Sequence, residues 1–314
     1  MNPRSTRASA LMLLASLIWG TAFVAQSASI GTIGPLLYTG LRFLLGTGVV
    51  LGVIALRRTR TAPATPRQPA SAGLVRDGAL LGVVVAVSIS LQQIGLESTT
   101  VANAGFISSL YVIGVPLLGL AWGRRAGRGL WLGALLATLG TYFLSVRQGY
   151  TVRHGDWLEL AGALFITLQM LLLGHAAPRH DPLRLAAVQF LVCSVLCLGA
   201  GLAVESFSLQ SLRDAAWPII YGGALSVGVA YTLQVVAQRD AVPAHAAVIF
   251  SMEGVFATLA AWLILGQALD ARAQFGCVLV FAGLVVAQLP ARSLASAAWV
   301  TVLRRGRRAQ SDAA

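Results

Sequence analysis

The chain has 314 residues, of which 57% are hydrophobic and only 11% charged, with a formal charge of +12 and a mean hydropathy of +0.76. Soluble chains carry about 25% charged residues, so this composition excludes a separate nucleotide-binding domain, a secreted enzyme and a nucleic-acid binder. The basicity therefore needs a membrane explanation. All 23 basic residues are Arg, and Cys193, Cys197 and Cys277 lie inside apolar runs, where an odd number of cysteines reads as small packing residues and not as a disulfide framework.

Ten mostly apolar runs can be marked off, at 10–30, 33–56, 77–96, 100–122, 129–146, 156–174, 185–204, 215–238, 243–266 and 273–290. Each is near the ~20 residues a helix needs to cross ~30 Å of hydrocarbon. Lipid offers the backbone no hydrogen bonds, so runs of this length are predicted to be helices and the chain an all-α integral membrane protein.

The first run follows Arg4 and Arg7 and is too long for the core of a signal peptide, so it reads as an uncleaved first helix. The second carries Arg42 at its centre and is followed by the Pro-, Ala- and Arg-rich stretch 57–76, a flexible topology anchor. Gly48 and Gly52, Gly78 and Gly82, and Gly119 and Gly123 have the small-xxx-small spacing of close helix packing, and Pro116 is expected to kink the fourth run. In the sixth run Asp156 is expected to cap the helix and to reach the outer interface, as is Glu159, one turn further in, for which a coupling role is the alternative. His175 and His180, five residues apart, have poor spacing for helical metal ligands and read as a solvated pair, and His245 starts the ninth run. No metal ligand cluster, nucleophilic triad or phosphate-binding loop is present, so no cofactor is expected and an enzyme acting on membrane lipid is a remote reading.

Counting Arg in alternate loops gives 18 in the set that includes both termini, against 4 in the other, with Arg42 alone inside a run. Basic loops are retained in the cytoplasm, so both termini are expected there. The basic tail, 292–314, is expected against the anionic inner leaflet.

An internal repeat emerges at a shift of about 143 positions. Gln26 falls on Gln169, Pro35 on Pro182, Phe43 on Phe190, Gln92 on Gln234, Ser109 on Ser251, Gly133 on Gly276 and Gly140 on Gly283. Residues 1–147 and 148–291 thus form two five-helix repeats. Five is odd, so the second repeat enters the membrane inverted, and inverted halves rocking about a midplane site are a known route to alternating access.

Ionisable residues deep in hydrocarbon are costly and are functional candidates by default. Arg42 and Glu253 are the two clear cases, one from each half, and are expected to face one cavity and to pair with each other or with substrate. The repeat also pairs Arg42 with Gln189 and Tyr111 with Glu253; since lipid-facing positions have no reason to stay polar, these residues and Gln26, Gln92, Gln169 and Gln234 are expected to lean inward.

These residues carry a resemblance. LLASLIWGTAFVAQ (13–26), Arg42-Phe43, NAGFISSLYVIGVPLL from Asn103, and HAAVIFSMEGVFATLAAWLILGQ from His245 resemble, in order, the marked stretches of the EamA-type permeases of the drug/metabolite transporter superfamily. The resemblance implies ten helices, cytoplasmic termini, a central cavity, and efflux or exchange of small metabolites driven by a proton or solute gradient. Two departures stand out: Gly254 where a Pro commonly follows the Glu, and Gln267 where an acidic residue is usual. The combined expectation is a secondary transporter of the bacterial inner membrane that exports amino acids or related metabolites. Glu253 would be the proton-responsive group, Arg42 its partner or a carboxylate anchor, Trp19 and Tyr111 walls, and Gln92, Gln169 and Gln234 hydrogen-bonding groups. A passive facilitator is the alternative, separated by indifference of flux to a pH gradient.

Overall fold

A computed structural model describes residues 3–60, 71–99, 101–123, 126–145, 152–265 and 270–288. Residues 61–70 of the basic linker, Gln267 and the tail fall outside the described residues. The described residues are helical, with no strand among them. The helices are α1 Pro3–Ser29, α2 Pro35–Arg60, α3 Ala72–Leu96, α4 Val101–Ser109, α5 Tyr111–Ala121, α6 Arg128–Ser145, α7 His154–Ala176, α8 Pro182–Val204, α9 Leu209–Asp214, α10 Ala216–Ile220, α11 Thr232–Gln238, α12 Pro243–Phe250, α13 Met252–Leu265 and α14 Ala271–Gln288. A π-helical segment, Tyr221–Tyr231, joins α10 to α11.

Nine helical stretches among the described residues are long and apolar enough to cross a membrane, which makes the chain a multi-pass membrane protein. The predicted run 129–146 corresponds to α6, which opens on Arg128 and is not one of the nine. It is nonetheless packed along α14. Glycines set that contact: a Cβ on Gly133 would stand 2.6 Å from the Gly283 carbonyl, and one on Gly276 2.7 Å from that of Gly140. Elsewhere α2 packs on α8, α3 on α7 and α8, and α1 on the π segment and on α11, α12 and α13. Of the predicted small-residue pairs, Gly78 and Gly82 do meet α8, at Val188 and Val192, whereas a Cβ on Gly48 or Gly52 would meet nothing within 4 Å. On α2 the close approach is made by Gly40 and Gly46 instead, against Leu198 and Val227.

The fourth run is interrupted, but at Leu110 and not at Pro116, which lies inside α5. The ninth is interrupted at Ser251. Beside each break a serine hydroxyl bonds back to the carbonyl three residues earlier: Ser109 to Phe106 at 2.7 Å and Ser251 to Val248 at 2.6 Å. Such bonds compete with the i→i−4 ladder and tighten the turn locally. The π segment widens where Gly223 and Gly228 let its backbone onto Leu45 and Val49 of α2.

The end of the bundle carrying the N-terminus is filled by apolar side chains. Ala8, Met12, Leu130, Leu171, Ala244 and Leu284 are buried in one cluster there, and Leu74, Leu81, Leu173 and Leu185 in a second. His180 is not solvated beside His175; its Nε2 lies 3.0 Å from Asp77 Oδ2, tying the start of α8 to α3.

Candidate functional site

Beyond those plugs lies a cavity near the middle of the helices, lined by Trp19, Phe23, Gln26, Arg42, Ile89, Gln92, Ser108, Tyr111, Ile166, Met170, Ser226, Tyr231, Gln234, Phe250 and Glu253. About 60 Å³ of it can take the centre of a water molecule, room for about four to six waters at the ~10–15 Å³ each requires. The lining from α1 and α3 belongs to their C-terminal halves. The cavity therefore reaches away from the plugged end.

Its position follows from local structure. The breaks at Leu110 and Ser251 present Tyr111 and Glu253 at the bends, and Tyr111 Oη donates to Glu253 Oε1 at 3.5 Å. Gly20 lets α1 press onto α13, since a Cβ there would stand 2.7 Å from the Glu253 carbonyl oxygen. Its neighbour Trp19 then enters the cavity, donates from Nε1 to the Ser226 carbonyl at 3.3 Å, and packs with its ring centroid 4.7 Å from that of Tyr231 and 5.2 Å from that of Phe250.

Arg42 is 2% exposed. Its guanidinium carbon lies 5.1 Å from the Tyr38 ring centroid and 5.7 Å from that of Phe43, within the range of cation–π attraction. Its Nε has no hydrogen-bond acceptor. Arg42 and Glu253 share the cavity but form no ion pair with each other. Of the two sequence alternatives, pairing with each other is the one the geometry does not realise.

Six of the seven predicted site residues, Glu253, Arg42, Trp19, Tyr111, Gln92 and Gln234, line the cavity, as does Gln26. Gln169 does not; it is fully buried behind Gln234, accepting from its Nε2 at 3.4 Å. Gln189 is also fully buried and away from the lining, with neither side-chain atom hydrogen-bonded. Asp156 caps α7, accepting from the Arg153 amide at 2.8 Å and from the Thr99 hydroxyl, but it is buried and does not reach an interface. Glu159 corrects the sequence reading: it is 1% exposed and turned into the bundle, not towards an interface. Ser108, Ser226 and Tyr231 are lining residues the sequence did not mark. Tyr231 stands three residues before Gln234, and that proximity was the available signal.

No group of three or more metal-ligating side chains occurs among the described residues. The chemistry on offer is recognition: one cation, one carboxylate, amides and aromatic faces in an apolar surround.

The EamA-like transporter family matches the chain twice, over residues 6–146 and 153–288. An uncharacterized transporter of Archaeoglobus fulgidus is 28% identical over 280 residues, spanning 88% of this chain and 84% of that protein. The uncharacterized transporter YvbV of Bacillus subtilis is 26% identical over 209 residues, 65% of each chain. A protein of known crystal structure, 22% identical, shares the fold with a TM-score of 0.76, covering 92% of this chain and 99% of that one. The chain belongs to the EamA-like transporter family.

Proposed function

We propose that this protein is a secondary transporter of the bacterial inner membrane, built of ten helices in two inverted repeats, residues 1–147 and 148–291, with both termini and the 292–314 tail cytoplasmic. It moves amino acids or related small metabolites, outward or in exchange, by alternating access, with protons as the coupling ion. The observation that carries this reading is the meeting, in one buried cavity, of Arg42 from the first half and Glu253 from the second.

The two family matches support the repeat. So does the packing, because the contact of α3 with α7 has its counterpart, under the 143-residue shift, in that of α1 with the π segment and α11. The Arg count supports the orientation, in which the cavity reaches towards the outer side while apolar plugs seal the inner one. Arg42, desolvated and without a counter-charge, suits a substrate carboxylate, since a buried cation in that position gains most from one. Glu253, with one long hydrogen bond and no cation on it, is costly as an anion and is therefore the proton-responsive group.

Flux of a panel of amino acids and small metabolites in proteoliposomes, with and without an imposed pH gradient, tests the reading. Gradient-driven flux that disappears in Glu253→Gln is the expected result. Native flux indifferent to the gradient would sink the coupled carrier and leave a facilitator.

A further inference from the structure

A second carboxylate lies behind the cavity wall. Glu159, on α7, is 1% exposed and does not line the cavity, but two side chains connect it to that space. Ser108 Oγ donates to Glu159 Oε2 at 2.9 Å, and Gln92 Nε2 donates to Ser108 Oγ at 3.0 Å. Both Ser108 and Gln92 line the cavity. The cleft that holds the acid is made by small residues: Gly95 of α3, where a Cβ would stand 3.1 Å from Glu159 Cγ, and Gly162, which would crowd Gln92.

Among the described residues no cation is paired with Glu159; at the start of its own helix His154 and the preceding Arg153 are exposed, and His175 lies at the far end. The elements packed on α7 are α3, α4, α5, α11, α12 and the short turn that follows it. Arg76 and Asp77 of α3, His245 of α12 and Arg179 of the turn all sit at the opposite end of α7, and α4 and α11 carry no titratable side chain. Tyr111 of α5 is engaged with Glu253. Glu97, just past α3, and Asp156, one turn before Glu159, are themselves acidic, and Asp156 is already held by Thr99 and the Arg153 amide. A carboxylate withdrawn from water with no counter-charge is held far more easily with its proton than without it.

We infer that Glu159 is a second proton-carrying group of the transport cycle, loaded and unloaded from the cavity through Ser108, with Gln92 holding the serine in line. The inference rests on the proton-coupled reading above. On loading, the Ser108 O–H breaks as its proton passes to Glu159 Oε2 and forms an O–H there, while a hydronium ion in the cavity gives one proton to Ser108 Oγ, restoring its O–H, and leaves as water. Unloading reverses each bond change. The site thus exchanges one proton with the cavity without itself facing substrate.

Infrared difference spectra of the full chain in nanodiscs, between about pH 5 and about pH 9, test the inference directly. A protonated-carboxyl band is expected that is lost in Glu159→Gln, kept in Glu253→Gln and shifted in Ser108→Ala; should Glu159→Gln fail to fold, the Ser108→Ala shift carries the test. Glu159→Gln spectra that superimpose on the native ones overturn it. In proteoliposomes, with the amino-acid panel as probe, the ratio of gradient-driven to counterflow flux should fall about tenfold in Glu159→Gln. Equal loss of both fluxes assigns Glu159 to packing and overturns the inference. A Glu159 band in a protein whose native flux ignores the gradient overturns the coupling reading instead.

Discussion

Tyr111 and Glu253, which hydrogen-bond across the cavity at 3.5 Å, fall on one another under the shift that relates the two proposed repeats. In the proposed arrangement matching residues touch only near the two-fold axis, so this contact would put that axis through the cavity between the breaks in the fourth and ninth runs. A rocking motion about it would move both partners while leaving them neighbours. Tyr111→Phe keeps the ring and removes the hydroxyl, whose net worth is about 0.5–1.5 kcal/mol. Transport should therefore fall about two- to tenfold, far less than in Glu253→Gln. Loss as complete as that of Glu253→Gln would make the tyrosine an essential part of the coupling step.

Arg42 has its guanidinium against Tyr38 and Phe43, with Nε unpaired. A planar, delocalised cation stacks on rings and grips a carboxylate through two parallel donors, which an ammonium cannot do. Arg42→Lys should therefore weaken uptake of carboxylate solutes about tenfold or more while thermal stability in detergent changes little. Concentration dependence of flux checks it: the loss should sit in the apparent KM, and an unchanged KM for every carboxylate would remove Arg42 from the substrate.

The parts of this site that were legible in the sequence are those whose physics depends on depth alone. Arg42 and Glu253 stand out because an ionisable residue at mid-membrane needs a reason. Ser108 and Tyr231 do not, because such residues pack anywhere in a bundle at little cost. Glu159 was misread because distance from a helix end predicts exposure only when the helix end itself is exposed; here Gly95 and Gly155 bring α3 and α7 into contact at that level. Glycine spacing likewise marks a contact face without saying which helix face has a partner, so Gly48 and Gly52 were indistinguishable from Gly78 and Gly82. The π segment left no periodic signal in an apolar run.

That distinction among glycines can be measured. At Gly140 a Cβ would stand 2.6 Å from the Val280 amide and 2.7 Å from the Gly276 carbonyl, both backbone atoms that cannot swing away. Gly140→Val should cost about 1–3 kcal/mol or more and lower Tm in detergent by several degrees. Gly48→Val, with nothing within 4 Å, should leave Tm within a degree or two. Equal shifts would dismiss the α6–α14 glycine contact as a determinant of packing.

At the end of the bundle away from the N-terminus, Glu205 caps a helix that is not its own. Gly34, which precedes α2, has no side chain to offer, and the Glu205 carboxylate accepts from the Leu36 and Leu37 amides at 2.8 Å each. The corresponding start of α8 is capped locally, by Asp181 accepting from the Arg184 amide at 2.9 Å. Glu97, just past α3, feels the consequence. Desolvation raises its pKa above the ordinary carboxyl value, and the negative Glu205 raises it further. A carboxyl whose folded pKa is raised favours the fold most below its ordinary value of about 4.3, and that contribution is lost as pH rises through the folded value. Glu97→Gln removes the loss, so its Tm should match the native Tm near pH 4 and exceed it increasingly as pH rises towards neutrality. Melting curves in detergent across that range decide the matter, and an advantage that is constant with pH, or largest in acid, would refute a raised pKa at Glu97.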